Sequence, residues 1–107
     1  MIFITGPLYS GKRDYACQLL GCGVEELRGR AVWDVQKLAA ECADLNALAD
    51  DLAQHEVVIA TEVGGGVVPV DAGGRAARET AGRLSCLLAQ RAARVIRVFC
   101  GLPMVLK

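Results

Sequence analysis

The sequence predicts an α/β fold: a mainly parallel sheet of about four strands, layered with helices. Short β-branched runs alternate with longer stretches whose apolar residues recur at helical spacing. One run, Val57-Val58-Ile59-Ala60-Thr61, is apolar without alternation, the habit of a strand buried on both faces. Glycines punctuate the ends of these elements, most densely after the first strand and after Thr61.

In chain order, Ile2-Phe3-Ile4-Thr5 reads as the first strand, stopped by Gly6-Pro7. A helix is expected over about 11–20, ended by Gly21-Cys22-Gly23. Arg30-Ala31-Val32-Trp33-Asp34 is a second, weaker strand. Leu38, Cys42, Leu45, Leu48 and Leu52 then draw one apolar stripe, which predicts a single helix over about 35–54. The Val57 strand leads into Gly64-Gly65-Gly66 and Val67-Val68-Pro69-Val70-Asp71. A further helix is expected over about 75–93, with Ala77, Ala81, Leu84, Leu88 and Ala92 on its inner face. Val95-Ile96-Arg97-Val98-Phe99-Cys100 is the last strand, closed by Gly101 and Pro103. A sheet this small leaves helix faces that an oligomer would cover.

The chain has 107 residues, 53% of them hydrophobic and 22% charged, which predicts one globular domain over 1–107 and excludes wholesale disorder. Its 12 basic residues cancel its 12 acidic ones, so nothing electrostatic points to nucleic acid or an anionic membrane as partner. No apolar run is long enough to span a bilayer, and the first residues lack the basic lead of a signal peptide. The 5 cysteines are odd in number and include no Cys-x-x-Cys pair, which argues for reduced thiols and a cytoplasmic setting.

The chemistry-bearing motif is Gly6-Pro7-Leu8-Tyr9-Ser10-Gly11-Lys12-Arg13, between the first strand and the first helix. It matches G-x-x-x-x-G-K, the phosphate loop, and departs from it only at the last position. Gly6 and Gly11 let the backbone wrap so that successive N–H groups face an anion. The following helix adds its positive end, and Lys12 reaches the outer phosphates as a point charge. With this loop the fold prediction becomes a small P-loop, RecA-like domain. GTP or ATP is the expected ligand, with Mg²⁺ as the usual companion.

Arg13 stands where a Ser or Thr hydroxyl lends an oxygen to the metal, and a guanidinium has no lone pair to give. Two readings follow. Arg13 pairs with phosphate and any metal is held elsewhere, or the loop keeps its shape without its chemistry. An acid at a neighbouring strand end is the expected metal partner. Asp34 is the first candidate, with helix N-capping as its competing role. Glu62, at the end of the Val57 strand, is the second and a candidate catalytic residue beside Lys12.

The run Glu62-Val63-Gly64-Gly65-Gly66-Val67-Val68-Pro69 closely resembles the E-V-G-x-G-[IV]-V-P signature of the bifunctional adenosylcobinamide kinase / adenosylcobinamide-phosphate guanylyltransferase family of cobalamin biosynthesis. Arg75 with Arg78-Glu79 looks like that family's R-x-x-R-[DE] segment, and Ala81-Gly82-Arg83-Leu84 like its A-G-R-[LV] step. The closing Gly101-Leu102-Pro103-Met104-Val105-Leu106-Lys107 is similar to its G-x-P-x-x-L-K, and Thr5-Gly6 through Gly11-Lys12 to its phosphate loop. The resemblance covers about 1–20 and 62–107.

It implies a P-loop fold, a homotrimer with the active site between subunits, and two reactions. The terminal hydroxyl of adenosylcobinamide is phosphorylated by a nucleoside triphosphate, and GMP is then transferred from GTP through a guanylylated histidine. Between Leu20 and Arg30 family members carry a strand, a helix and that histidine, where this chain has only Gly21 to Gly29, an internal deletion. The single histidine, His55, matches no family motif. The Asn-Gln pair often found in the last helix is Ser85-Cys86. The expectation is a shortened member without guanylyl transfer. The alternatives are a cobinamide kinase, a nucleotide- or cobinamide-binding module without turnover, or an oligomer subunit.

Overall fold

The computed structural model describes residues 1–63 and 72–107. The glycine run 64–66 and the segment 67–71, both part of the family-like signature, lie outside the described residues.

The elements are β1 (Ile2–Gly6), α1 (Lys12–Leu20), α2 (Val24–Arg30), β2 (Ala31–Val32), α3 (Gln36–Ala39), α4 (Leu45–Leu52), β3 (Val57–Thr61), α5 (Ala72–Arg91), β4 (Arg94–Phe99) and β5 (Leu102–Val105). They build one sheet in the order β2-β3-β1-β4-β5. β1 runs parallel to both β3 and β4, with Ile4 opposite Ile59 on one side and Ile96 on the other. β2 is parallel to β3, and only β5 is antiparallel, paired to β4.

Strand alternation sends residues to two cores, one on each face. Phe3, Val58, Ala60 and Val95 meet Leu52 of α4 and Leu84 and Leu88 of α5. Ile4, Val57, Ile59, Ile96 and Val98 meet Ala16 of α1 and Leu27 of α2. Helices therefore cover both faces of the sheet, giving the P-loop three-layer fold. Full burial of a residue such as Leu27 contributes about 2 kcal/mol.

Three elements depart from the sequence reading. The single helix over 35–54 is two helices, because Asp44 stops the stripe and caps α4: its Oδ1 accepts the Ala47 N–H at 3.2 Å. Leu38, on the stripe, is 47% exposed. α2 was not expected; Leu27 is its one fully enclosed residue, while Glu25, Glu26, Arg28 and Arg30 suit the dipole at its two ends. The fifth strand, β5, escaped because all its residues are exposed, so it has no buried face to reveal it.

A two-residue turn joins β4 to β5. Cys100 and Gly101 both have positive φ, 53° and 75°, as a tight hairpin with the sheet's twist requires. The turn reaches the phosphate loop: the Gly101 N–H donates to the Ser10 carbonyl at 2.8 Å. Lys107 closes the other end, donating from Nζ to the Ala89 and Gln90 carbonyls at the C-terminal turn of α5.

Candidate nucleotide site

β1 ends at Gly6 and the chain turns at once into the loop. A side chain at Gly6 has no room: its Cβ would lie 2.2 Å from the Val98 carbonyl oxygen. Gly11, at φ 90°, makes the second bend and sits at the head of α1. Inside the loop Ser10 and Lys12 are buried. Lys12 Nζ donates to the Pro7 carbonyl at 2.6 Å and lies 3.5 Å from the Ser10 hydroxyl. Its charge is thus folded into the loop. Burial lowers the Lys12 pKa, while Asp34 and then Glu62 work against that shift.

The loop forms one wall of a cleft of about 450 Å³. Trp33 and Asp34, just beyond β2, form part of the other wall, with Ile59 and Thr61 of β3 between. This is the carboxyl edge of the parallel strands, where open α/β sheets hold ligands. The structure brings Leu8, Tyr9, Ser10, Gly11, Lys12, Arg13 and Asp34 to that one cleft, while Gly6 and Pro7 shape the loop behind it. Tyr9 and Asp34 both have φ 58°, unusual for residues with a Cβ, and both line the cleft.

Asp34 is exposed and does not cap α3; Val35 holds the cap position with no side-chain bond, and the Asp34 carbonyl accepts from Lys37 N. The capping role is therefore not the one it plays. Glu62 stands elsewhere. Its N–H continues the β1–β3 ladder onto the Gly6 carbonyl at 2.8 Å, while its carboxylate takes a two-point bond from Arg97. It does not line the cleft, although it acts electrostatically on Lys12.

Asp14, Trp33, Ile59 and Thr61 were missed as cleft residues. Trp33 had a signal, as the chain's one tryptophan at the end of a parallel strand. Two guanidinium groups flank it, Arg13 at 5.7 Å and Arg28 at 5.9 Å from the ring centroid. Arg13 thus lies against the cleft wall rather than in the loop.

The donor set does not complete the usual P-loop magnesium site. Arg13, at the position where that site has a hydroxyl, offers no lone pair. His55 lies far from the loop. It precedes β3 whereas the loop follows β1, and these strands are parallel, so the strand length of roughly 13 Å separates the two. Its Nδ1 lies 3.2 Å from the Leu52 carbonyl.

The model of the family described as cobinamide kinase / cobinamide phosphate guanyltransferase matches residues 24–106. The chain belongs to this family. The match runs through the middle of the chain, which the motif resemblance left uncovered, and begins after the phosphate loop and α1. A search of the curated proteins finds none that matches. As a cobinamide kinase / guanyltransferase family member, the chain is of a kinase and transferase lineage in cobalamin biosynthesis. Gly101, within the matched span, now has a structural task in holding the Ser10 carbonyl. No helix among the described residues is long and apolar enough to cross a membrane.

Proposed function

We propose that this family member binds a purine nucleoside triphosphate, GTP or ATP, in the cleft between the phosphate loop and Trp33–Asp34, and has lost guanylyl transfer. The observation that carries the reading is the loop itself: Gly6 closed against Val98, Gly11 at the helix head, and the Lys12 ammonium folded onto the Pro7 carbonyl. An incoming phosphate offers Lys12 a stronger, charge-assisted partner than a carbonyl. The amides at the start of α1 and its dipole add to that attraction.

The reading that guanylyl transfer is lost is supported by His55. The chain has one histidine, and it stands at the opposite edge of the sheet from the cleft. For the kinase step, Lys12 would hold the outer phosphates and Asp34 would be the one predicted acid facing them, with adenosylcobinamide as acceptor. The position of Arg13 favours a second reading, a nucleotide- or cobinamide-binding module without turnover. A guanidinium beside the cleft neutralises phosphate charge but does not organise a metal. The exposed Leu102, Val105 and Leu106 suit burial in an oligomer, a trimer by resemblance.

Titration with GTP and ATP, followed by the fluorescence of Trp33, tests the reading. Saturable quenching that Lys12→Ala removes supports it. Folded protein that gives no response to either nucleotide by fluorescence or by calorimetry overturns it.

A further inference from the structure

The peptide unit between Ser10 and Gly11 is held from outside the loop. Its carbonyl accepts the Gly101 N–H at 2.8 Å. The same peptide is trans, so its C=O and its N–H point in opposite directions. Fixing the Ser10 carbonyl on the β4–β5 turn therefore aims the Gly11 N–H away from that turn. Ser10 and Gly11 line the cleft, whereas Gly101 stands outside it.

Two further contacts press the end of β4 and its turn against the loop. A Cβ on Gly6 would run into the Val98 carbonyl, and a Cβ on Gly11 would meet the Gly101 Cα at 3.4 Å. The turn is fixed by its own backbone, with Cys100 and Gly101 between the paired Phe99 and Leu102. A peptide next to a glycine meets little steric resistance to turning over. Turned over, this one would present its carbonyl oxygen to an anion. The Gly101 N–H opposes that turn.

We propose that Gly101 is a positioning residue for the phosphate loop: by holding the Ser10 carbonyl it presents the Gly11 N–H to the phosphate chain of a nucleoside triphosphate. The proposal rests on the reading that this loop binds such a ligand. It adds a residue outside G-x-x-x-x-G-K that sets how strongly the loop binds. Gly101 itself does not touch the ligand. It spares the ligand the cost of ordering the peptide on binding.

Cys100 allows the bond to be tested atom by atom. The chain is assembled by native chemical ligation from 1–99, as a C-terminal thioester, and a synthetic peptide 100–107 that begins with Cys100. Glycolic acid in place of Gly101 exchanges its N–H for an ester oxygen and leaves every side chain unchanged. A matching ester at Leu106 removes its 2.8 Å bond to the Val95 carbonyl, a bond of equal length at the far end of the hairpin. Calorimetry follows GTP, ATP and inorganic tripolyphosphate on the all-amide chain and on both esters. The Gly101 ester should bind all three about tenfold more weakly, as loss of one hydrogen bond to a charged group implies. The Leu106 ester should bind as the all-amide chain does. Undiminished binding by the Gly101 ester, or equal weakening in both esters, would overturn the proposal and leave the nucleotide reading standing. An all-amide chain that binds none of the three overturns both. A second measurement needs no variant: in ¹⁵N-labelled protein the Gly11 amide proton should move downfield as tripolyphosphate is added. A Gly11 resonance unmoved at saturation would likewise overturn the proposal.

Discussion

Glu62 and Arg97 join the strands on either side of β1, with Arg97 Nε 2.6 Å from one carboxylate oxygen and its terminal nitrogen 3.0 Å from the other. Arg97 comes from β4 and Glu62 follows β3, so the pair bridges β1 close to where it becomes the phosphate loop. Arg97 also lies 5.3 Å from the centroid of the Phe99 ring.

The Arg97 bond, partly offset by burial, pulls the Glu62 pKa below its ordinary value. A folded-state pKa below the unfolded one means the pair contributes stability above the unfolded carboxylate range. That contribution is lost as pH falls through the folded value. Glu62→Gln should therefore cost about 0.5–1 kcal/mol at pH 7 and less at pH 3, as the pH falls toward the folded value. Urea melts at the two pH values check this, and an equal cost at both would refute the linkage.

Lys12 has the same pH sign for a different reason, because here burial disfavours the charged form. Burial lowers its pKa, so the folded state holds that proton less tightly and this group's contribution to stability rises with pH. Lys12→Met should leave the melting temperature unchanged or raise it, while weakening triphosphate binding by roughly 10- to 100-fold. A variant that binds normally would remove Lys12 from the site.

The three glycines around α1 should respond differently to alanine. Gly6→Ala drives a Cβ into the Val98 carbonyl and should cost about 3 kcal/mol. Gly11→Ala and Gly21→Ala meet no such contact and carry only the left-handed penalty, about 1–2 kcal/mol each. Ranking the three by chemical denaturation tests the close approach at Gly6 apart from any ligand.

Arg13 decides the metal question. Nucleotide should bind in the presence of EDTA, and Arg13→Ser, which restores the hydroxyl, should make binding stronger with Mg²⁺ than without. Calorimetry on the two proteins reads this directly. Wild-type binding that requires Mg²⁺ would show that the metal is held without help from position 13.

Much of the site was legible before folding. The strand, the glycines and the lysine of the phosphate loop are local, because each acts through the backbone a few residues away. The same holds for the β3 run and for the helix expected over 75–93, though Ala77 on its expected inner face is exposed. What pattern reading lost were features with a short or absent buried face. α2 has one enclosed residue, β5 has none, and a single aspartate splits the stripe of leucines into α3 and α4.

The sequence by itself determined the α/β class, the loop and the family motifs, since periodicity and backbone chemistry are written residue by residue. Only the tertiary structure decided which strand ends meet. It brought Asp34 and Trp33 to the loop, turned Glu62 to Arg97, and set the Gly101 turn on Ser10. The contacts of Glu62 and Gly101 join residues 35 and 91 positions apart. Parallel pairing and a single left-handed glycine create such neighbours, and neither leaves a periodic trace in the chain.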